Sequence, residues 1–571
     1  MKRKCNNSVI QLFLSVSAVL LIFSAVTVRG QSIGPLSANF EGIGYTGKNP
    51  PDPSIAVGPN YVVEVVNSEF VVFDKSSSRT VAYSSNLADF FNDQSDNIYD
   101  CKVVFDQYSQ RYVLLTLADN GSNTGYYLLA VSEGTDPNPS LWYKYKLDAS
   151  IDGSQTSDLR ADYPGLGYDQ NCVYITSNQY TFPANGDAFQ YAKIRILKKS
   201  QIYSGVTPTA PFTDFYDLED ADGTPSFTVK PVQQFGSASA YYLVDTKKNG
   251  GNSITLWRID NPSSNPTLSI QATIAVTSYS VPPDAAQNYL SSISVKKVGT
   301  STQDAMYRDG YVYASFTTGH DWGSGNVSAI QYEKINVNSN TAVIDAVYGS
   351  DGNYYYCPDI YADAYGDIAL VFCESSSNQY PGVWWSYRLA SDGAMRAAQL
   401  LQAGGGYYDY GDPSGVNAYG DFSGMCLDAS NDDRVWFCGE WPRSDHSQWD
   451  TQIGSFQFPS VEFANSVGGS IAGGSLKINS AVTVGSGSSL RLGMGASNSE
   501  LTLAQGSGNQ DRFVNTNGIS TAKHNNWDHL IFCLITSQLA AHPEKPRPHI
   551  STHLTLQPSR LHQSTVQTSP A

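Results

Sequence analysis

The sequence predicts an all-β fold: a seven-bladed β-propeller, a short Gly/Ser-rich β appendage and a disordered C-terminal tail. The first supporting observation is a pattern that occurs seven times between residues 54 and 440, in which an apolar strand, a tight polar turn and a second apolar strand follow one another. The second is the spacing of the copies, roughly 50 to 70 residues, which accommodates one four-stranded sheet each. The third is a content of 37 Tyr, 23 Phe and 9 Trp, because aromatic residues suit half-buried strands.

The seven copies give the order of the elements. In the clearest copy, Ser54 begins the first strand, residues 58–60 form the turn, and Tyr61 begins the second strand. The predicted hairpins occupy residues 54–66, 103–116, 165–177, 227–245, 304–316, 359–374 and 424–440. Apolar runs at 69–74, 126–131 and 254–258 predict outer strands, and residues 449–458 are expected to complete the seventh blade.

Changes in composition predict the domain boundaries. The chain is divided into a signal peptide at 1–30, a lead-in at 31–50, the propeller at 51–460, a small β-module at 461–510 and a disordered tail at 511–571. The β-module is predicted from short alternating strands. The tail is predicted from its loss of periodicity.

The N-terminal residues combine a basic start, Lys2 to Lys4, with an apolar run over 9–28 and a small residue, Gly30. This pattern is typical of a secretory signal that is cleaved after Gly30. An uncleaved membrane anchor is the alternative. We therefore expect a secreted or cell-surface protein with no stable membrane span after cleavage.

The net charge restricts the partners. The formal charge is −17, and residues 1–30 contain four basic and no acidic residues, so the remaining chain carries −21. Nucleic acid is excluded as a partner, because binding it requires a basic patch. Cations, glycans and extracellular proteins remain, and we expect the chain to be a monomer.

Six cysteines follow the signal segment, as is typical of an oxidising compartment. Cys357 and Cys373 flank one hairpin, and Cys426 and Cys438 flank the next, so each pair is predicted to form a disulfide across two antiparallel strands. The remaining two cysteines, Cys101 and Cys172, are expected at opposite ends of their blades and therefore not paired with each other.

One end of the predicted propeller is rich in carboxylates. The residue before the first strand of a hairpin and the residue after its second strand emerge at the same end. These positions are Asp52 with Asn67, Asp100 with Asp119, Asp162 with Asn178, Asp245, His320 with Asp321, Asp359 with Glu374, and Asp421 with Glu440. The sequence therefore predicts an acidic mouth, although any single Asp can instead fix a turn by accepting a backbone N–H.

Three functions are consistent with an acidic mouth. The first is a Ca²⁺ site with Asp162 and Asp421 as candidate ligands, because Ca²⁺ takes hard oxygen ligands. The second is recognition of a glycan or a protein. The predicted binding residues are Asp52, Asn67, Asp100, Asp119, Asp162, Asn178, Asp359, Asp421 and Trp441. The third is acid/base chemistry on a polysaccharide, which requires two carboxylates in unequal environments; its candidates are Glu374 and Glu440, with His320 as a base.

Four separated motifs resemble a known group of proteins. They lie at residues 51–60, 104–113, 161–169 and 419–425, and they are similar to motifs of secreted bacterial β-propeller proteins that are largely uncharacterised. The resemblance covers about residues 50 to 445 and implies the propeller fold. It implies no activity and no catalytic residues.

The combined prediction is an extracellular binding or adhesion module that recognises a glycan or a protein at the acidic mouth. One alternative is a polysaccharide-active enzyme, a lyase or a glycosidase, that uses the rim carboxylates. The other alternative is a structural surface or matrix protein.

Overall fold

The computed structural model describes residues 36–94 and 96–459, together with the backbone of three strands between 500 and 523. Among the described residues, 57% lie in strands and 3% in helices, so the prediction of an all-β chain is confirmed. The predicted signal peptide, residues 1–30, lies outside the described residues. Helices in the described part of the chain are short, and none has the length and apolar character of a membrane-crossing helix.

The first half of the described chain contains β1 and three four-stranded antiparallel sheets. Strand β1 is Ala38–Gly44. Sheet 1 comprises β2 (Ser54–Val57), β3 (Tyr61–Val66), β4 (Glu69–Asp74) and β5 (Val81–Asn86), and it is followed by helix α1 (Leu87–Phe91). Sheet 2 comprises β6 (Asn97–Asp106), β7 (Arg111–Asp119), β8 (Gly125–Ser132) and β9 (Trp142–Asp148), and it is followed by β10 (Ile151–Asp152) and β11 (Gln155–Thr156). Sheet 3 comprises β12 (Leu159–Tyr168), β13 (Cys172–Thr181), β14 (Phe189–Lys198) and β15 (Thr213–Tyr216), with a 3₁₀ turn at Pro183–Asn185 and helix α2 at Lys199–Ile202.

The second half contains the remaining sheets. Sheet 4 comprises β16 (Lys230–Pro231), β18 (Tyr241–Thr246), β19 (Gly251–Asp260) and β20 (Thr267–Tyr279), with β17 (Gln233–Phe235) directly after β16. The short strands β21 (Ala285–Ala286) and β22 (Ser292–Ile293) precede sheet 5, which comprises β23 (Thr302–Arg308), β24 (Tyr311–Asp321), β25 (Asn326–Asn336) and β26 (Thr341–Tyr348). Sheet 6 comprises β27 (Asn353–Ala362), β28 (Ile368–Ser376), β29 (Gln379–Arg388) and β30 (Gln399–Gln402). After β31 (Val416–Asn417), sheet 7 comprises β32 (Gly424–Asp428), β33 (Asn431–Pro442) and β34 (Trp449–Gln457), together with β1.

The predicted hairpins coincide with the strand pairs that begin these sheets. The first strands contact one another in series: β2 with β6, β6 with β12, β12 with β16, β16 with β23, β23 with β27, β27 with β32, and β32 with β2. Strand β17 pairs in parallel with β12 and with β23, which joins sheets 3 and 5 by hydrogen bonds. The series of contacts returns to the strand at which it began.

Sheet 7 takes its fourth strand from the predicted lead-in. Strand β1 is antiparallel to β34, with Ala38 opposite Ser455 and Phe40 opposite Ile453. We expected residues 449–458 alone to complete this sheet, but they supply one strand, and the edge of that strand is covered by β1. The pairing joins the two ends of the repeat region and satisfies an edge that would otherwise be unpaired.

The apolar core lies between neighbouring sheets. Phe70 of sheet 1 packs edge-on against Trp142 of sheet 2 at 5.7 Å between ring centroids, and both side chains are buried. Leu115 of sheet 2 and Ile175 of sheet 3 belong to a second buried cluster. Strands such as β3 are buried on both faces, so apolar residues predominate along their whole length.

The cap hairpin, residues 285–293, lies outside the seven sheets. Its two strands pair with each other, and β22 pairs in parallel with β31, which precedes sheet 7. Ser375 Oγ of sheet 6 donates to the Ala286 carbonyl at 2.8 Å. The hairpin therefore connects the segments that precede sheets 5 and 7 with sheet 6, and no repeat pattern predicted it.

The C-terminal strands form a separate three-stranded antiparallel sheet. They are β35 (Glu500–Ala504), β36 (Gln510–Thr516) and β37 (Ile519–Lys523). Of these strands, β35 and the start of β36 fall within the predicted β-module at 461–510, and the others fall in the region predicted to be a disordered tail. The other residues of both regions lie outside those that the structure describes.

Neither predicted disulfide is formed. All six cysteines within residues 36–459 are buried free thiols. Cys357 lies at a register shift between β27 and β28, with φ of 53°, and its Sγ donates to the Gly420 carbonyl at 3.0 Å. Cys438 lies opposite Gly424, and Cys426 lies opposite Trp436, so neither predicted pair occupies directly opposed positions.

Candidate functional site

Four predicted aspartates, Asp52, Asp100, Asp162 and Asp421, come together from sheets 1, 2, 3 and 7; we call them the carboxylate cluster. Asp52 Oδ1 accepts the Asp421 backbone N–H at 2.6 Å. Asp100 Oδ2 accepts the Tyr163 backbone N–H at 3.1 Å, beside Asp162. Burial raises the pKa of Asp100 well above its ordinary value, and the charges of the other three aspartates raise it further. The predicted convergence of these four residues is therefore present.

Irregular backbone directs these side chains. Asp52, Asp100 and Tyr163 have positive φ angles of 51°, 48° and 52°, in a region that non-glycine residues rarely adopt. The strand register shifts at Asp100 and again after Asp162, as at β-bulges, which change the direction of a side chain. Asn67 Nδ2 holds the other oxygen of Asp52 at 2.7 Å.

Lys297 supplies a positive charge to the carboxylate cluster. It follows the cap hairpin and is exposed, whereas Asp100, Asp162 and Asp421 are half-buried. The charge of Asp421 raises the pKa of Lys297, and the charges of Asp162, Asp52 and Asp100 raise it further. The surrounding protein partly desolvates the ammonium, which opposes this shift. The site therefore offers an ammonium group and several carboxylates to solvent at one place.

Two further lysines adjoin the cluster around an aromatic pair. Tyr163 and Phe422 lie 4.6 Å apart between ring centroids. Lys102 Nζ lies 3.4 Å from the Phe422 centroid, and Lys230 Nζ lies 4.5 Å from the Tyr163 centroid. Lys230 donates to the Pro164 carbonyl at 3.0 Å, and burial lowers its pKa well below the ordinary value.

A small cavity contains both of these lysines and a second pair of carboxyl groups, Asp304 and Asp359. Asp359 is buried, and its oxygens accept the backbone N–H groups of Ile360 and Met425, each at 2.6 Å. Burial raises the pKa of Asp359 well above its ordinary value, and adjacent Asp304 raises it further. Asp359 thus helps to fix the start of sheet 7 and also lines the cavity.

The carboxyl groups of the cluster retain protons at higher pH than free aspartate. Burial, followed by the charge of Asp52, raises the pKa of Asp421 to about 6, although Lys297 and Lys102 oppose the shift. Burial also raises the pKa of Asp52 and Asp162. Because each carboxylate that ionises raises the pKa of its neighbours, the cluster loses its protons in successive steps.

Glu440, a predicted catalytic residue, lies beside the cluster but is buried. Neither of its carboxylate oxygens has a hydrogen-bond partner within the described residues. Burial raises its pKa well above the ordinary value, and Asp52 and Asp421 raise it further. A Cβ at Gly420, where φ is 33°, would lie 2.7 Å from Glu440 Oε2, so glycine is needed there.

The other two catalytic candidates lie elsewhere. Glu374 is buried, accepts from Gln379 Nε2 at 3.4 Å, and has its pKa raised by burial to about 7. His320 lies near the end of β24, where its ring is 4.2 Å from that of Trp322. Among the contacts of the described residues, none joins Glu374, Glu440 and His320 to one another, so they do not form the proposed acid/base set.

The remaining predicted binding residues have separate roles. Asp119 fixes a turn by accepting the Gly121 N–H at 2.8 Å. Asn178 donates to Thr228 Oγ1 at 2.9 Å and accepts the Thr228 N–H at 2.8 Å, which connects sheet 3 to the start of sheet 4. Trp441 is half-buried, and its Nε1 has no hydrogen-bond partner within residues 36–459.

The candidate calcium ligands do not form a sufficient donor set. Across the described residues, no three Asp, Glu, His or Cys side chains are arranged to hold a metal ion. Asp162 and Asp421 instead share the charge of Lys297. The calcium ion remains a prediction, and these residues alone do not fit it.

Aromatic side chains border the cluster next to Asp162. Tyr180, Phe189 and Phe227 are half-buried, and their ring centroids follow one another at 5.7 and 4.9 Å. We call these three residues the aromatic shelf. Lys248 Nζ lies 4.2 Å from the Phe227 centroid, and the charge of Asp162 adds to burial in raising the pKa of Tyr180.

Three lysines of the site, Lys102, Lys230 and Lys297, were not among the predicted residues. Lys102 lies two residues after Asp100, a residue with positive φ inside β6. Lys230 lies two residues after Thr228, a residue with positive φ that precedes β16. Alternation of side chains along these strands could have indicated their common direction. Lys297 lies outside the repeats and had no comparable signal. The site is therefore mixed in charge rather than simply acidic.

No family model matches the chain, and no curated protein matches it. A solved structure of a protein of unknown function from Dyadobacter fermentans is similar at 10% identity, covering 74% of this chain and 97% of that one, with a TM-score of 0.37. The GH93 α-L-arabinofuranosidase of Fusarium graminearum is similar at 9% identity, covering 74% and 98%, with a TM-score of 0.35. The GH43 endo-arabinanase of Bacillus licheniformis is similar at 12% identity, covering 61% and 97%, with a TM-score of 0.29. At these values the neighbours assign no activity to this chain, and its resemblance to secreted bacterial propeller proteins remains a prediction.

Proposed function

We propose that the protein is a secreted glycan-binding protein built as a seven-bladed β-propeller, with the carboxylate cluster and Lys297 at its binding mouth. The propeller arrangement is supported by the closed series of contacts between first strands. The parallel pairing of β17 with β12 and β23 also supports it. Strand β17 directly follows the first strand of sheet 4, so this pairing places sheet 4 between sheets 3 and 5 in the series.

The observation that carries the binding function is the exposed Lys297 ammonium among half-buried carboxylates. A sugar presents hydroxyl groups that both donate and accept, and this site provides acceptors and a donor within one small area. The aromatic shelf beside Asp162 provides apolar faces for the C–H groups of a sugar ring. Carboxyl groups outnumber lysines at the mouth, since Asp304 and Asp359 line the cavity that Lys102 and Lys230 share. The remaining negative charge disfavours a polyanion and favours a neutral glycan.

Binding of the purified chain to linear arabinan, xylan, chitin oligomers and polygalacturonate tests the proposal. We expect binding to a neutral glycan, with Lys297→Met weakening it at least about tenfold, the loss of one charge-assisted hydrogen bond. Lys296→Met is the matched control, because Lys296 is the exposed neighbour of Lys297, and it should leave binding unchanged. Binding to none of the glycans, or equal losses in both variants, would refute the proposal.

Polysaccharide cleavage is a second candidate function, favoured by the pKa of about 6 at Asp421 beside other carboxylates. A carboxyl group that titrates near neutral pH can donate a proton while a neighbour remains ionised. Release of reducing ends that Asp421→Asn abolishes without loss of binding would establish the enzyme. Binding without product release would leave the binding function alone.

A further inference from the structure

Three stacked rings form a column at the tip of the cap hairpin. The Tyr289 and Tyr407 rings are 3.6 Å apart between centroids and inclined by 2°. The Tyr407 and His446 rings are 4.0 Å apart and inclined by 7°. We call these residues the aromatic column.

Backbone from three segments fixes the column. His446 has a positive φ of 71°, and its carbonyl accepts the Asp409 N–H at 2.6 Å. A Cβ at Gly406 would collide with the His446 ring, so only glycine allows the ring to lie there. The cap hairpin is tied to the same loop, because Gln287 exchanges two 2.8 Å hydrogen bonds with the backbone of Tyr408. The column is therefore held in place before any ligand binds.

The outermost ring has a free face. Tyr289 is 45% exposed, and within residues 36–459 Tyr407 is the one ring that stacks on it. The next residue, Leu290, is 97% exposed. A rigid tyrosine with an open face loses little entropy when a flat, partly apolar ring packs on it.

We propose that the aromatic column is a second sugar-binding subsite, which stacks one ring of a neutral polysaccharide whose other units occupy the mouth. This inference rests on the proposed glycan-binding function. Tyr289 and Lys297 are eight positions apart in one segment, so their Cα atoms lie within about 28 Å of each other. A single polymer chain can therefore reach both sites.

The net charge of the chain and the aromatic faces of the column favour a neutral sugar as the ligand. The chain carries a net charge of −17, which disfavours polyanions such as nucleic acids, although their bases would also stack. The negative face of an aromatic ring attracts the C–H groups of a sugar and leaves its hydroxyl groups at the edge. Joining two weak subsites through one ligand raises the apparent affinity through effective concentration.

The test compares a polymer with a short oligosaccharide of the same glycan, chosen as the tightest ligand among arabinan, xylan and chitin. We expect Tyr289→Ala to weaken polymer binding about tenfold and to leave disaccharide binding unchanged. Tyr289→Phe keeps the ring and should bind like the unmodified protein. Tyr216→Ala is the matched control, because Tyr216 is similarly exposed at 43% on sheet 3.

The outcomes separate this inference from the proposed function. If Lys297→Met weakens binding but Tyr289→Ala does not, the mouth binds the glycan and the column inference is wrong. If Tyr289→Ala weakens disaccharide and polymer binding equally, the column does not act as an additional subsite, and the inference is also wrong. If the unmodified chain binds no glycan, both the proposed function and the column inference are wrong. A far-ultraviolet circular dichroism spectrum and a urea denaturation midpoint that match those of the unmodified protein exclude misfolding as the cause.

Discussion

Two clusters of charged side chains in this protein differ in how their charges are satisfied. The ion-paired cluster comprises Lys193, Arg195, Asp152 and Asp214, in and beside sheet 3. Arg195 makes two 2.8 Å hydrogen bonds to Asp214 and a third, at 2.6 Å, to the Asp148 carbonyl. Lys193 lies 2.8 Å from Asp152. The side chains of Lys193, Arg195 and Asp214 are fully buried.

The mouth satisfies its charges less completely. Lys297 balances four carboxylates and remains exposed. Adjacent Glu440 has two buried oxygens without hydrogen-bond partners within the described residues. A cluster in which each charge has a direct ion-pair partner has a structural role. A cluster in which several carboxylates share one solvent-exposed counter-charge retains the capacity to bind a ligand.

The largest expected effect is on stability, from breaking the ion-paired cluster. Arg195→Met removes the two-hydrogen-bond partner of the buried Asp214 carboxylate and leaves Lys193, 3.8 Å away, as its remaining cation. We therefore expect the free energy of unfolding to fall by about 3 kcal/mol. Urea denaturation measures this loss. The double variant Arg195→Met/Asp214→Leu removes both charges and should recover much of the stability. Equal losses in the single and double variants would show that packing, rather than the unpaired charge, is responsible.

The next effect is the pH dependence contributed by Glu440. Burial raises its pKa in the folded state, so below the pKa of the unfolded chain both states hold the proton and stability is complete. As the pH rises, the unfolded state ionises first, and stability falls until the folded-state pKa is passed. Glu440→Gln lacks this titration and should be more stable than the unmodified protein at pH 8, by about 1–3 kcal/mol, but not at pH 4. Urea denaturation at both pH values measures the difference, and a difference independent of pH would contradict the assignment.

A smaller effect on stability is expected at Lys297. An exposed ammonium contributes little to folding, so Lys297→Met should change the free energy of unfolding by less than about 1 kcal/mol, while weakening glycan binding. Arg195→Met should have the opposite profile, with a large loss of stability and unchanged affinity of the molecules that remain folded. A Lys297→Met variant that unfolds would assign a structural role to the mouth as well.

The repeat pattern predicted the strands well because each hairpin is specified by local residues. Ser54 to Val66 contains its own apolar strands and turn, and those strands form in the structure. The convergence of Asp52, Asp100, Asp162 and Asp421 followed from equivalent positions in different repeats. Such information is present in each repeat separately and needs no knowledge of distant contacts.

The features that the sequence analysis missed depend on long-range contacts or on local irregularity. The pairing of β1 with β34 joins residues more than 400 positions apart, and no local pattern encodes it. The bulges at Asp100 and after Asp162 change the alternation of side chains, and one extra residue redirects all that follow. Cys357 lies at such a shift, so its register with Cys373 could not be read from symmetry about the turn. Burial of Glu440 and the approach of Lys297 likewise arise only when the sheets assemble.

Calcium gives the smallest expected effect, and it tests whether Lys297 replaces a metal ion. A bound Ca²⁺ at about one hundred times its Kd would stabilise the fold by about 2.7 kcal/mol, a shift of several degrees in Tm. Because the charge of Lys297 already acts on Asp421 and Asp162, we expect neither EDTA nor added calcium to change the Tm of the unmodified protein. In Lys297→Met the carboxylates lose this counter-charge, so calcium should raise the Tm of the variant. Stabilisation of the unmodified protein by calcium would restore the predicted metal site, and no response in either protein would show that these carboxylates need no cation at all.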